Sequence, residues 1–165
     1  MEVKIIRSRR RSRTVSARIV KDILVVRAPL AISQGHLERI IADFKIKFKR
    51  KKLKDELNKR ENLSGMAASL NERYFDNALK ISSIEYVTDQ RSKFGCCNYT
   101  TASIRISHRV STMPAWVQEY VVLHEMAHLI EPNHSRSFWK IVSRYTLAER
   151  ARGYLIALGL ESPLE

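Results

Sequence analysis

His124, Glu125 and His128 stand in the order H-E-x-x-H, and a further histidine, His134, follows six residues on. Residues four apart on a helix share a face, with Cβ atoms roughly 5 to 6 Å apart, so His124 and His128 can present two imidazoles to one ion while Glu125 stands beside it. With 5 histidines in 165 residues, a shuffled chain would show this spacing about once in a hundred tries. A third histidine at a fixed offset makes chance a poorer account still. The surroundings agree: no Lys or Arg occurs between Arg109 and Arg136, while Glu119, Glu125 and Glu131 all fall in that window. A divalent cation needs neutral imidazoles and is repelled by positive neighbours. Three imidazoles on Zn2+ leave a fourth position for water, as in catalytic sites and unlike closed structural ones. The metal lowers the pKa of that water towards about 7, and Glu125 can take its proton and later pass it to a leaving amine. The expected reaction is hydrolysis of an amide, most simply a peptide bond, with His124, His128 and His134 as metal ligands and Glu125 as catalytic base.

Other donors stand behind these. Glu149 follows His128 at a distance where some H-E-x-x-H enzymes take a carboxylate as third ligand, but a shorter route turned by Pro132 leads to His134. His108 could be an outlying donor, although a surface position suits it better. Cys96 and Cys97 are adjacent and lack the C-x-x-C spacing of structural zinc sites. Tyr145 and Tyr154 are candidates to steady the oxyanion of a tetrahedral intermediate.

The motif needs a rigid helix and a turn. Pro114 suits a first turn, Ser111 or Thr112 is available as cap, and residues 120 to 130 are almost wholly apolar apart from the motif, so the helix is expected to be buried nearly all round. Pro132 disfavours helix at Glu131 and stops it by about Ile130, which can swing His134 back towards the metal. A further helix is expected from Ser135, capped by its own hydroxyl and carrying Phe138, Trp139, Ile141 and Val142 into the core. A last one should run from Ala148 to Leu158 and end at Gly159. Before the motif, residues 80–87 and 102–107 read as strands, the second with Ile104 and Ile106 alternating with polar neighbours.

Residues 3–28 read as a β-meander. Val15, Ala17 and Ile19 alternate with polar residues, Lys21-Asp22 turn, and residues 23–27 return as an apolar run. Arg7, Arg9, Arg10, Arg11 and Arg13 are expected to crowd the first connection. From His36 the apolar spacing becomes helical, through Leu37, Ile40, Ile41, Phe44 and Phe48, on a segment rich in lysine; a shorter helix follows over Met66 to Phe75.

The length suits one domain, residues 1–165, with an N-terminal part to residue 60 and a catalytic core from 61. The net charge of +13 favours anionic partners. Adjacent cysteines cannot easily pair, residues 1–13 lack the apolar core of a secretory leader, and no apolar run of about 18 residues exists, so a cytoplasmic setting away from membranes is the expectation.

Residues 124–139 (HEMAHLIEPNHSRSFW), FGCC followed by IRIS within 94–107, and the N-terminal stretch SRRRSRTVSARIVKDILVVRAP together resemble the YgjP-like metallopeptidase-domain family, related to the SprT-like and WLM zinc peptidases. The family's Trp-Gly-Ser-Cys is Phe94-Gly95-Cys96-Cys97 here, matched at Gly95 and Cys97. The resemblance implies an α+β fold: an N-terminal β-meander and basic helix joined to a compact zincin-like core, in which the strand at 102–107 is an edge strand beside the H-E-x-x-H helix and pairs with extended substrate. It also implies His124, His128 and His134 as zinc ligands and Glu125 as the catalytic glutamate. The expected function is a zinc-dependent metallopeptidase acting on a peptide or protein substrate. Two alternatives are a metal-dependent nucleotide pyrophosphatase and a nucleic-acid-binding protein with a structural metal, the basic residues serving nucleotide or nucleic-acid contact.

Overall fold

Residues 1–90 and 92–158 are described by the computed structural model. They form a mixed α+β architecture of two three-stranded sheets, five α-helices and a short 3-10 helix. They fall into two compact units, Met1–Lys52 and the chain from Leu53 onward.

In the first unit the strand with the longest apolar run lies in the middle. Leu24, Val26 and Ala28 are wholly buried on one face of β3 (Ile23–Pro29). β2 (Ser16–Val20) pairs with it antiparallel through Lys21 and Asp22, whose positive φ values of 48° and 62° match a hairpin of two left-handed residues. β1 (Val3–Ser8) lies on the other side of β3 and runs parallel to it, so the strand order is β1-β3-β2. The expected meander is therefore corrected. Residues 9–15 are long enough to step across one strand position, about 10 Å, which frees β3 to sit where its buried face is flanked on both sides. Helix α1 (Gln34–Arg60) closes that face with Leu37, Ile41, Phe44 and Phe48. Arg7 is not part of the exposed connection: its guanidinium donates to Leu30 O (3.0 Å), Ile32 O (3.3 Å) and Gln34 Oε1 (3.2 Å), pinning the start of α1.

The second unit holds the larger core. Helix α2 (Leu63–Phe75) starts earlier than expected because Asn62 caps it, Oδ1 accepting from Gly65 N at 2.8 Å. Strands β4 (Ser83–Val87), β5 (Gly95–Asn98) and β6 (Ser103–Ser107) have the order β4-β6-β5, with β6 parallel to β4 and antiparallel to β5. The strand around 102–107 is thus central, not the edge. Its Ile104 and Ile106 are 0% exposed, and its backbone is bonded on both sides. The edge beside the motif helix is β5, whose Gly-Cys-Cys-Asn carries no alternation to be read. Ser107 N donates to Phe94 O at 2.7 Å. Since bonded pairs alternate along an antiparallel ladder, Gly95 and Cys97 turn their backbone groups outward from the sheet. The opposite edge is covered. Asn58 of α1 accepts from Tyr86 N (2.8 Å) and donates to Tyr86 O (2.9 Å).

A 3-10 helix, His108–Thr112, leads into α3 (Ala115–Ala127), which has Pro114 at its cap position and no side-chain cap. Ser111 and Thr112 do not cap α3: their hydroxyls donate back to His108 O (2.7 Å) and Arg109 O (3.0 Å). Every residue from Tyr120 to Ala127 is buried, as expected of this helix. Helix α4 (Arg136–Val142) starts after Ser135, whose Oγ accepts from Phe138 N at 3.2 Å, and α5 (Ala148–Ala157) follows. The expected stop at Gly159 lies outside the described residues. No helix of the described residues is long and apolar enough to cross a membrane.

Candidate metal centre

α3 carries His124 and Glu125 into the interior, 3% and 6% exposed respectively. The helix then tightens. His128 is its last residue of helical geometry, and Leu129 N and Ile130 N bond three residues back, to Met126 O and Ala127 O. The chain turns through Pro132, and this turn does two things. It returns His134 to the helix, with His124 Nε2 and His134 Nε2 3.1 Å apart. It also aims Glu131 O at His128 Nδ1, 3.0 Å away. A carbonyl only accepts, so Nδ1 of His128 holds the proton and Nε2 keeps its lone pair free.

One ligating atom from each of His124, His128 and His134 lies within 4.8 Å of the others. Burial, followed by the two neighbouring histidines, pushes His124 down to about 3; burial is also the main cause that lowers His128. Three imidazole nitrogens converging on one point, two of them held towards the neutral form, suit a divalent transition metal ion. Aromatic rings set their orientation. Phe138, 0% exposed, stacks on His128 with centroids 4.4 Å apart, and Trp139 stacks on His134 at 5.6 Å. The Arg152 guanidinium lies over the far partner of that stack, 5.1 Å from the Trp139 ring. Phe138 lies in the core and Trp139 packs against it, as expected; their stacking on the imidazoles is the role that reading did not include, and their spacing of four and five residues from His134 was the available signal.

Glu125 meets β5. A Cβ built on Gly95 would stand 2.5 to 2.7 Å from Oε1, Cγ and Cδ of Glu125, closer than real atoms approach. The strand backbone therefore lies directly against the carboxyl group, which only glycine allows. Burial pushes Glu125 up to about 8, with Lys93 pulling the other way. A cleft of about 790 Å3 opens over these groups, bordered by Lys93 to Cys97, Tyr99, Tyr120, Asn133 and the three histidines.

The remaining candidates fall elsewhere. Glu149 is exposed in the first turn of α5, and His108 sits in the 3-10 helix, apart from the lining of the cleft. The Tyr145 hydroxyl binds Trp116 O (3.0 Å) and Glu119 Oε2 (2.9 Å), and Tyr154 packs edge-on against Trp116 at 5.5 Å. Neither tyrosine reaches the cleft. Cys96 and Cys97 do border it, both as free thiols outside the three-histidine group. Burial, then Glu125 and Cys96, pushes the Cys97 thiol up to about 12, so it is no ready thiolate.

A search of curated proteins finds no match to the chain. Among solved structures, the metallopeptidase zymogen of Pyrococcus abyssi abylysin superposes with a TM-score of 0.49 at 17% identity, over 58% of this chain and 90% of that one. The description of the YgjP-like metallopeptidase domain matches residues 45–151, a span that takes in β5, the three histidines and Glu125, and the chain belongs to the YgjP-like metallopeptidase-domain family.

Proposed function

We propose that the protein is a zinc-dependent peptidase with a zincin-like core from about residue 61, in which His124, His128 and His134 hold the metal and Glu125 is the proton-transfer group. The observation that carries this reading is the convergence of three imidazoles beside the buried Glu125 at an open cleft. Three nitrogen donors suit zinc, which when bound supplies Lewis acidity and a labile proton on its water. The chain's own groups do the rest. Glu131 O keeps His128 in one tautomer, and the Phe138 and Trp139 rings hold two imidazoles in place. Glu125, buried beside the histidines, takes up a proton as a carboxylate and passes it to a leaving amine. The outward backbone groups of Gly95 and Cys97 offer an extended peptide a strand to add to, alongside Glu125. Among the described residues bordering the cleft Lys93 is the one cation, too little to hold a triphosphate and a reason to prefer a peptide over a phosphoanhydride.

The test is zinc content with hydrolysis of peptides and of nucleoside triphosphates measured side by side. The expected outcome is one zinc per chain and peptide cleavage, with Glu125→Gln keeping the zinc and losing activity about 10²-fold or more. Full activity in Glu125→Gln, or triphosphate hydrolysis alone, overturns the reading.

A further inference from the structure

The net charge is divided unevenly along the chain. Residues 1–52, the first unit, hold 16 of the 30 Lys and Arg but 4 of the 17 Asp and Glu, so +12 of the net +13 falls there. Strand register sorts these side chains by face. Val3, Ala17, Leu24 and Val26 face the apolar side of α1, and their neighbours in each strand face away. On that outer face one row reads Lys4, Val25, Arg18 across the three strands, and the row two residues along reads Ile6, Arg27, Ser16. Lys4, Arg18 and Arg27 are exposed, as are Arg9, Arg10 and Arg13 in the connection that follows β1. Among the described residues no side-chain hydrogen bond or ion pair engages any of these six cations. Arg7 and Arg11 differ, being tied to Leu30, Ile32 and Gln34 and to Thr14.

We propose that this outer sheet face, together with the Arg9–Arg13 connection, binds the phosphate backbone of double-stranded nucleic acid. Six unpaired cations gathered on this face and its connection repel each other, and a regular polyanion relieves that repulsion. Five of the six are arginine, whose planar fork matches phosphate oxygens in pairs. Single strands are held by stacking bases on aromatic rings. Residues 1–52 contain no Trp or Tyr, and their two Phe, Phe44 and Phe48, pack against the unit's own core. This face also carries no Trp, Phe or Leu to anchor in a bilayer: its apolar members are the β-branched Ile6, Val20, Ile23 and Val25, set between longer cations. The inference rests on charge and register in the first unit and is independent of the metal centre.

The test uses the full-length protein and a labelled DNA duplex of about 30 base pairs, read by fluorescence anisotropy over a range of salt. Six phosphate contacts give a log–log salt slope of about −5. The triple variant Lys4→Gln, Arg18→Gln, Arg27→Gln and, separately, Arg9→Gln, Arg10→Gln, Arg13→Gln should each weaken binding at least about ten-fold and flatten the slope by about 3. The helix variant Lys47→Gln, Lys49→Gln, Lys51→Gln removes the same charge and should cost much less. Equal loss in all three variants, tighter binding of a single strand of the same length, or binding to phosphatidylserine vesicles without duplex binding each overturns the proposal. Two separate triples on exposed positions keep it open to refutation if one fails to fold, which a thermal melt detects.

Discussion

At the scale of single residues, Gly95 and Glu125 are coupled by space. No positive φ requires glycine at position 95; what is excluded there is volume, because an added Cβ would overlap the Glu125 carboxyl group. The strand backbone cannot retreat without leaving β6, so Glu125 is the group that would move. We expect Gly95→Ala to lower kcat at least about ten-fold while metal content is unchanged, since the three atoms nearest the added Cβ all belong to Glu125 and none to an imidazole, so that only proton transfer is misaligned. Kinetics paired with metal analysis check this, and an active Gly95→Ala would remove the strand from the catalytic geometry. The same logic explains why the imidazoles lie between rings. Phe138 and Trp139 restrict His128 and His134 before any ion arrives, so less ordering remains to oppose binding.

At the scale of elements, the two edges of the β4-β6-β5 sheet have been given opposite fates. β4 is closed by Asn58, which satisfies both polar groups of Tyr86 from within α1. Among the described residues no hydrogen bond closes the outer edge of β5 where it passes Glu125. An uncovered strand edge is a template for another chain, so closing one and exposing the other directs any added strand to the cleft. Asn58→Ala removes the two bonds to Tyr86, leaving its N and O unpaired, together with a third to Lys54 O. The expected cost is about 1 to 3 kcal/mol, which lowers Tm by roughly 2 to 4 °C for each kcal/mol, with self-association increasing at high concentration. Differential scanning calorimetry and light scattering measure the two effects; an unchanged melt would mean the edge needs no cover.

At the scale of the whole molecule, the buried carboxylate sets a stability penalty that depends on pH. In the metal-free protein Glu125 stands at about 8 when folded, against an ordinary value near 4.3 in the unfolded chain. Between those values the folded chain holds a proton that the unfolded chain has released, so stability falls as pH rises through that window. Below it the two states are alike and the penalty vanishes. Glu125→Gln cannot ionise, so it should raise the Tm of the chelator-treated protein by a few degrees near pH 8 and hardly at all near pH 4. Melts of both proteins across that range test the sign; equal gains at both ends would mean that packing, not ionisation, is responsible.

Much of the site was legible in the chain because its determinants are local. The four-residue spacing of His124 and His128, the stop imposed by Pro132, the cap at Ser135 and the apolar run from Tyr120 all act over one or two helical turns, and the family resemblance rests on the same residues. The apolar run of 23–27 and the alternation in 102–107 likewise marked strands. What only the tertiary structure decided was which elements became neighbours. Strand order is set by which faces need covering and by how far a connection reaches, so neither β1 beside β3 nor β6 at the centre follows from local pattern. β5 is too short and too irregular to announce itself, yet it is the strand laid against Glu125. The role of Gly95 emerges from the same cause: its missing side chain has meaning only once a carboxylate 30 residues away occupies the space.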